Sequence, residues 1–347
     1  MNASDGPHRI LVSRTDRLGD SVLTLPLCGL LRERYPHAEI VFLARAYTRP
    51  FVGRSRHVAE VADWDAIRSE HRTRRAAALR ALRCDTAVHV FPRRPIAVAA
   101  HRAGIARRIG TGRRWFHWLH CTDRVWLRRR GSPWHEAQLN VLLAGPLLGL
   151  ATPPSLESLA AHYGLEASSP GALVRERLDG RRFSLIVHPL SSGSAPRWPL
   201  HRFAELIAVF PAGTVNVVIT GVEADRSVLG PWMARLSRPV TEAIGLPAED
   251  FMALVAAADG IVASPTGPLH LAAALGIRAV GIYPNADSSP EVRRWGPVGL
   301  RAEVVTTPLP CPECAQLGPQ CPCVSGIPAA DLAAVVERWV REAAAPR

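Results

Sequence analysis

The sequence predicts an α/β protein made of two Rossmann-like domains, and three observations support this prediction. Short apolar runs, typical of buried parallel strands, alternate with helical segments. The alternation stops in the loop-prone residues 151–180 and then restarts. The chain of 347 residues is also long enough for two domains, at roughly 150 residues per domain.

The first half of the chain opens with a strand–helix–strand unit, which is the repeating element of a parallel sheet. A strand at residues 10–12 precedes a helix that carries the apolar residues of 22–31, and a second strand follows at 39–43. The other predicted elements of this half are strands at 85–90 and 107–110 and a helix at 136–150.

The second half repeats the pattern, so we expect an N-terminal domain at residues 1–165, a linker at 166–181 and a C-terminal domain at 182–347. Two such domains would face each other across a central cleft. The predicted elements here are strands at 183–188, 215–220, 260–263 and 279–283 and helices at 202–209, at 248–258 and from 269. A closing helix at 329–345 has no obvious partner in the sequence.

The composition is that of a folded protein with a strong positive charge. With 48% hydrophobic and 21% charged residues, the chain can fill a core and is not disordered. The 42 basic residues exceed the 30 acidic ones by 12, and every basic residue is an arginine. Because arginine is a permanently charged fork suited to phosphate and carboxylate, acidic partners are favoured: nucleic acid, an anionic membrane face or a phosphorylated substrate.

Neither a membrane span nor an export signal is apparent. No apolar run reaches the roughly 18–20 residues that a bilayer-spanning helix needs. Residues 1–8 are polar and lack the basic-then-apolar order of a secretory signal. We therefore expect a soluble, cytoplasmic protein.

The turn at residues 14–21, between the first strand and helix, is the first candidate site. Open parallel sheets bind ligands beyond the carboxyl ends of their strands, where this turn lies. Gly19 lets the backbone approach a ligand closely, and Asp20 presents a carboxylate at the start of the helix. Taken alone, Asp20 is more simply a helix N-cap.

The second candidate site is the turn at residues 264–271, again between a strand and a helix. The free backbone N–H groups and the dipole of a helix start make such a turn suitable for a diphosphate. Taken alone, it is an ordinary strand-to-helix connection with a proline in the first turn. His270, on an apolar helix, is by itself more typical of a core histidine than of a ligand-binding one.

Arginines are concentrated between residues 68 and 130, where aromatic residues are interleaved with them. The clearest clusters are Arg93 with Arg94 and Arg113 with Arg114. Such clusters suit an anionic lipid surface, although solvated helix faces in an arginine-rich protein explain a single cluster nearly as well. Single-stranded nucleic acid would also suit them, but no nucleic-acid-binding motif accompanies these residues.

Four of the seven cysteines fall within 13 residues, as a C-x2-C pair and a C-x-C pair. They are Cys311, Cys314, Cys321 and Cys323. The first pair has the spacing of a tetrahedral thiolate site, whereas the second is tighter than the usual zinc pattern. The cluster predicts either a structural zinc or iron site or a set of reduced, metal-free thiols.

Taken together, these motifs resemble glycosyltransferase family 9, the heptosyltransferases of lipopolysaccharide core assembly. The resemblance rests on four segments in the family's order, at residues 10–36, 197–206, 266–276 and 294–297. It implies a GT-B fold and inverting transfer of heptose from ADP-heptose without a catalytic metal. The acceptor would be an anionic glycolipid at the cytoplasmic face of the inner membrane, contacted by Arg93, Arg94, Arg113 and Arg114, with no nucleic acid involved.

The resemblance also assigns roles to individual residues. Asp20 would be the general base that takes the proton from the acceptor hydroxyl. The donor would be bound by Gly19, Arg197, Glu223, Leu246, Thr266, Gly267, Pro268, Leu269 and His270. Within this set Arg197 and residues 266–270 would surround the diphosphate, Glu223 would hold the adenosine ribose, and Leu246 would lie against the adenine.

Two positions depart from the family pattern. Pro196 stands where most members have a lysine, and Pro265 stands where an aspartate normally contacts the donor sugar. The sequence therefore leaves three alternatives beside ADP-heptose transfer to lipopolysaccharide: another nucleotide-sugar donor, another acceptor such as a protein, or a homologue that binds nucleotide or glycan without turnover.

Overall fold

The structure, a computed structural model, describes residues 6–191, 193, 197–285, 291–308, 310–317 and 321–345. The chain divides into two compact units, Met1–Glu166 and Ala167–Arg347. Each unit holds one parallel six-stranded sheet in its described residues, flanked by helices. The prediction of an α/β fold is confirmed.

The first unit contains six strands and ten α-helices in its described residues. The strands are β1 (Arg9–Ser13), β2 (Glu39–Ala44), β3 (Glu60–Asp63), β4 (Thr86–Val88), β5 (Arg107–Thr111) and β6 (Asp123–Val125). The helices are α1 (Leu18–Val22), α2 (Leu25–Arg34), α3 (Arg49–Val52), α4 (Trp64–Ser69), α5 (Arg72–Ala81), α6 (Arg94–Ala103), α7 (Trp115–His120), α8 (Glu136–Leu143), α9 (Gly145–Leu148) and α10 (Leu156–Ala160).

The second unit contains six strands and eight α-helices in the part of it that is described. The strands are β7 (Phe183–His188), β8 (Val215–Gly221), β9 (Thr241–Ile244), β10 (Gly260–Ala263), β11 (Arg278–Tyr283) and β12 (Ala302–Thr306). The helices are α11 (Ala172–Arg175), α12 (Leu200–Val209), α13 (Arg226–Met233), α14 (Ala248–Ala257), α15 (Gly267–Ala274), α16 (Glu291–Trp295), α17 (Cys314–Leu317) and α18 (Ala329–Ala344).

Both sheets have the strand order of a Rossmann fold. The order is β3-β2-β1-β4-β5-β6 in the first unit and β12-β11-β10-β7-β8-β9 in the second, with every pairing parallel. In such sheets the order reverses direction between two central strands, and ligands bind beyond the carboxyl ends of those strands. These strands are β1 and β4 in the first unit and β7 and β10 in the second.

The closing helix α18 has a partner that the sequence did not reveal. Its buried residues Leu332, Val336 and Trp339 belong to the main core of the second unit, together with residues of α12. The Trp339 indole N–H also donates to Glu303 on β12, at 3.0 Å. The helix therefore completes the cover of the second sheet.

Three predicted segments differ in the structure, two of them because of proline. The helices predicted at 22–31 and 136–150 are each split in two, since Pro26 and Pro146 lack the N–H that a continuous helix needs. The loop-prone segment 151–180 contains two short helices, α10 and α11.

No helix of the described residues is both long and apolar enough to cross a membrane.

Candidate functional site

The first site lies at the carboxyl end of β1, next to β4, where the strand order of the first sheet reverses. Asp20 is in the first turn of the short helix α1, whose N-cap is Arg17. The alternative that Asp20 is the N-cap is therefore wrong. Gly19 is buried immediately before it.

Arg14, buried at the end of β1, organises the charges around Asp20. Its guanidinium bonds directly to the Asp20 carboxylate and contacts Asp16 at 2.8 Å. The same guanidinium donates to Glu136 on α8 at 3.0 Å and to the Asn140 side-chain oxygen at 3.2 Å. One permanent positive charge is thus shared among three carboxylates.

The shared arginine leaves Asp20 with an unusual acidity. Burial raises the pKa of Asp20 to about 6, and the negative charges of Asp16 and Glu136 act in the same direction, against the lowering effect of Arg14. A carboxylate with this pKa is ionised at neutral pH and is also basic enough to accept a proton. Asp20 can therefore serve as a general base.

Sequence reasoning missed the residues on and before α8 that complete this network. Glu136 is bonded by both Arg14 and Arg129, and the Asn140 side-chain oxygen accepts from the same two arginines. The Asn140 amide also donates to Leu23 O at 3.2 Å, at the junction of α1 and α2. Glu136 is 122 positions from Arg14, and a glutamate at a helix start carries no signal of such a partner.

The second site is the carboxyl edge of the second sheet. Arg197 follows β7, Glu223 follows β8, Leu246 follows β9, and Thr266 follows β10. Because the four strands are adjacent and parallel, the segments after them emerge at the same edge of the sheet. The topology therefore gathers at this one edge the segments that carry the predicted donor-binding residues of this unit.

The turn from β10 into α15 contains polar groups that form no hydrogen bond to the described residues. Thr266 is the N-cap of α15 but its side chain makes no capping bond. The hydroxyl oxygens of Ser264 and Thr266 are buried without a hydrogen-bond partner among the described residues. The start of α15 adds the backbone N–H groups of Gly267 and Leu269, since Pro268 has none. Together, these hydroxyl and N–H groups can bind an anion.

Other predicted residues of α15 are more enclosed. Leu269 and His270 are buried, whereas Gly267 and Pro268 are half-buried at the helix start. The placement of His270 fits a core histidine as well as a residue that backs a bound phosphate. Pro265, at the departure from the family pattern, is half-buried in the same turn.

Gly245 allows Glu223 to lie close to the chain just before Leu246. Gly245 has a left-handed backbone, with φ of 74°, and the Glu223 carboxylate occupies the place where a Cβ of residue 245 would be. Leu246 follows directly and is half-buried. Glu223 is also paired with Arg226, at 2.7 and 2.9 Å, and this hydrogen bonding lowers the pKa of Glu223.

Arg197 is exposed, and its guanidinium donates to Ser191 O at 3.0 Å, which holds it beside the loop after β7. Ser191 Oγ is buried without a partner among the described residues. Pro196 lies outside the residues that the structure describes. Arg197 is thus a cation at the carboxyl edge that retains donors for an anionic ligand.

The four predicted acceptor arginines are exposed near the starts of α6 and α7. The Arg93 guanidinium lies over the Phe91 ring at 4.6 Å, and that of Arg94 lies over Trp115 at 4.9 Å. The second contact joins the start of α6 to the start of α7, directly after Arg113 and Arg114. The structure therefore places both clusters on neighbouring elements.

The four clustered cysteines converge on one point. Their sulfur atoms all lie within 4.8 Å of one another. Individual separations are 3.5 Å for Cys311–Cys321, 3.6 Å for Cys314–Cys321 and 3.3 Å for Cys314–Cys323. Four thiolates around a tetrahedral metal, at about 2.3 Å from it, are about 3.8 Å apart, so this donor set can bind a metal ion.

Comparison with known proteins extends these observations. The profile described as "Glycosyltransferase family 9 (heptosyltransferase)" matches residues 135–323. A Haemophilus influenzae protein described as "Putative glycosyltransferase" is 29% identical over 308 residues, which cover 84% of this chain and 86% of that protein.

Two solved structures share the fold over nearly the whole chain. ADP-heptose lps heptosyltransferase II of E. coli has a TM-score of 0.75 at 22% identity, covering 97% of this chain and 100% of that one. The iron-containing dodecameric glycosyltransferase TibC of enterotoxigenic E. coli has a TM-score of 0.54 at 13% identity, covering 97% of this chain and 77% of that one. The prediction of a GT-B fold is confirmed by this similarity.

Proposed function

Because the chain belongs to glycosyltransferase family 9 and is a glycosyltransferase, we propose that it transfers heptose from ADP-heptose, with inversion, to an acceptor of the lipopolysaccharide inner core. The observation that carries the proposal is the pair of buried Arg14 and half-buried Asp20 at the carboxyl end of β1. It supplies a positioned carboxylate of suitable pKa where an open parallel sheet binds its ligand.

Asp20 acts as the general base of this reaction. The acceptor hydroxyl loses its proton to the Asp20 carboxylate as its oxygen attacks the anomeric carbon of the donor, and the bond to the diphosphate breaks. Arg14 keeps the carboxylate in place through the whole step, because a guanidinium does not titrate in this range. A positioned base of this kind contributes about 10²–10⁴-fold to the rate.

The second unit binds the nucleotide-sugar. The start of α15 and the buried hydroxyls of Ser264 and Thr266 receive the diphosphate, and Arg197 neutralises it. These groups stabilise the negative charge that grows on ADP as it leaves, which is the role that a catalytic metal has in other transferases. Glu223 holds the ribose, and Leu246 packs against the adenine.

The first unit receives the acceptor. Arg93, Arg94, Arg113 and Arg114 contact its acidic groups, and the arginine-rich surface brings the protein to the cytoplasmic face of the inner membrane. Association would be peripheral.

The four cysteines hold a structural metal, zinc or iron. Iron is supported by the description of TibC, a protein of similar fold, as iron-containing. The segment after the cluster is bonded to the residues that lead into α12, since the Trp198 indole N–H donates to Ile327 O at 3.0 Å. The metal would therefore fix this segment and take no part in the transfer.

A second function is favoured by one observation. Pro265 replaces the carboxylate that contacts the donor sugar in the family, so a different nucleotide-sugar, a different acceptor or binding without turnover stands as the alternative.

The test is turnover of ADP-heptose beside a panel of UDP-sugars, with purified inner-core acceptor and with Asp20→Asn as the matched variant. We expect selective use of ADP-heptose, a loss of at least about 100-fold in Asp20→Asn and nearly unchanged ADP affinity. Full activity of Asp20→Asn would refute the base assignment. Binding without turnover, or preference for another donor, would establish the alternative.

A further inference from the structure

Helix α7 presents large apolar side chains to solvent. Trp115, Trp118 and Leu119 are 61%, 51% and 64% exposed, and they share one helix face by their spacing of three and four residues. Phe116 and His117, on the opposite face, are buried. Helix α7 thus has a buried face and, opposite to it, a second apolar face that stays more than half exposed among the described residues.

A fourth residue extends this face beyond the helix. Trp126, after β6, is 69% exposed and meets the Trp118 ring edge-to-face at 5.9 Å. The Trp118 indole N–H is held by Gly112 O at 2.9 Å, and a Cβ at Gly112 would lie 3.3 Å from the Trp126 ring. We name Trp115, Trp118, Leu119 and Trp126 the aromatic patch.

The chain segment that contains the aromatic patch is strongly cationic. Residues 93–130 contain 11 arginines and a single acidic residue, so this segment accounts for 10 of the 12 net positive charges of the chain. That acidic residue, Asp123, is paired with Arg107 at 3.2 Å. Arg94 and Arg124 lie over the rings of Trp115 and Trp118, at 4.9 and 4.8 Å.

We propose that the aromatic patch inserts into the headgroup region of an anionic lipid bilayer while the arginines around it bind the lipid phosphates. Tryptophan prefers the membrane–water interface, and arginine attracts anionic headgroups. An exposed apolar surface with a cationic rim matches such a bilayer in both respects. The inference deepens the proposed membrane contact and does not depend on the sugar that is transferred.

The composition of the patch favours a bilayer over a soluble glycan. The tryptophans and Gly112 surround a shallow depression of about 480 Å³, and Arg113 is the charged residue of its described lining. Sugar sites combine aromatic side chains with polar groups that bond the hydroxyl groups, and the described lining has no carboxylate or amide side chain for this purpose. The exposed Leu119 has no polar group that could bond a sugar hydroxyl, whereas its apolar side chain suits the boundary between the headgroups and the acyl chains of a bilayer.

The experiment is co-sedimentation of the full chain with vesicles of phosphatidylglycerol and phosphatidylcholine, compared with vesicles of phosphatidylcholine alone. We expect binding to the anionic vesicles and quenching of tryptophan fluorescence by brominated acyl chains. Leu119→Glu and Trp118→Ala should each weaken vesicle binding at least about tenfold. Trp134→Ala, which removes a 38% exposed tryptophan outside the patch, is the matched control and should bind normally.

Several outcomes would overturn the inference. These are no vesicle binding, binding that Leu119→Glu and Trp118→Ala leave intact, and binding without quenching, which would show a purely electrostatic contact. Quenching by a soluble inner-core oligosaccharide in place of vesicles would identify a glycan platform. A dimer in light scattering that Leu119→Glu dissociates would identify a second copy as the occupant.

A failure of the membrane inference can be distinguished from a failure of the proposed reaction. On a lipid-free acceptor, Leu119→Glu and Trp118→Ala should turn over donor as the wild type does. If ADP-heptose transfer fails while vesicle binding and quenching persist, the reaction is refuted and the membrane surface stands.

Discussion

At the scale of single residues, the pKa of Asp20 depends on how the positive charge of Arg14 is shared among neighbouring carboxylates. A carboxylate with an arginine of its own would have a depressed pKa, and it would be a poor base at neutral pH. Here Arg14 also serves Asp16 and Glu136, and burial opposes the ionisation of Asp20. The result is a carboxylate whose pKa is raised to about 6 beside a permanent cation.

The pH dependence of the reaction should follow from this pKa. The base is active when deprotonated, so kcat/KM should be constant from pH 7 to 8 and fall tenfold per unit as the pH drops below about 6. The measurement is kcat/KM of the free enzyme across pH 4.5–8, with circular dichroism at each pH. A profile that is flat down to pH 4.5 in folded protein would contradict the assignment.

Substitution of Glu136 should move that profile. Glu136→Gln removes a negative charge that raises the pKa of Asp20, so the acid limb should shift to lower pH. Removal of one partner from a buried ion pair should also cost about 3–5 kcal/mol of stability, which thermal unfolding would measure. Glu303→Gln, at an exposed pair with Arg338, is the matched control and should leave the limb in place. An unmoved limb in Glu136→Gln would show that Glu136 acts only on stability.

At the scale of secondary-structure elements, the sequence predicted the central strands and missed the edges. The four strands absent from the prediction are β3, β6, β9 and β12, and they are the four edge strands. Central strands are buried on both faces and appear as continuous apolar runs, as β1 and β10 do. The edge strands are short or partly exposed and carry charged residues, so their composition does not distinguish them from loops.

The metal site can be tested by its metal content and by the stability of the segment that follows it. Cys314→Ser removes one of four sulfur ligands, so elemental analysis should change from about one metal per chain to little or none. Because the segment after the cluster packs on α12 and α18, the melting temperature should fall by several degrees. Cys84→Ser, at a buried cysteine of the first unit, should keep the metal. Folded wild-type protein that contains no metal, purified under reducing conditions, would refute the site.

At the scale of the whole molecule, the two units repeat one topology, and each predicted site lies where the strand order reverses. The sequence could place Asp20 and Thr266 because each lies at the start of the helix that follows an apolar strand, and this local pattern fixes the edge of the sheet. It could not place Arg129, Glu136 or Asn140 in the network, since only the folded chain brings them to Arg14. Local motifs were therefore predictable, and the long-range contacts that set the pKa of Asp20 were not.

Hydrogen exchange should reveal which unit binds the nucleotide. At 100 times its Kd, ADP stabilises the bound state by about 2.7 kcal/mol. Exchange should therefore slow by up to about 100-fold in peptides that cover the start of α15 and the segment after β8, and it should be unchanged in α6 and α7. Asp20→Asn should show the same protection. Protection confined to the first unit would refute the assignment of the donor to the second.

The edge strands have a consequence for the protein in a crowded solution. Each carries at least one acidic residue in an ion pair with an arginine of a neighbouring element. The acidic residues are Glu60 and Asp63 on β3, Asp123 on β6, Glu242 on β9 and Glu303 on β12. A strand from another molecule would have to pair beside these charged side chains, which disfavours its addition to either sheet. The four edges are therefore poor templates for intermolecular β-pairing, which protects the chain from aggregation.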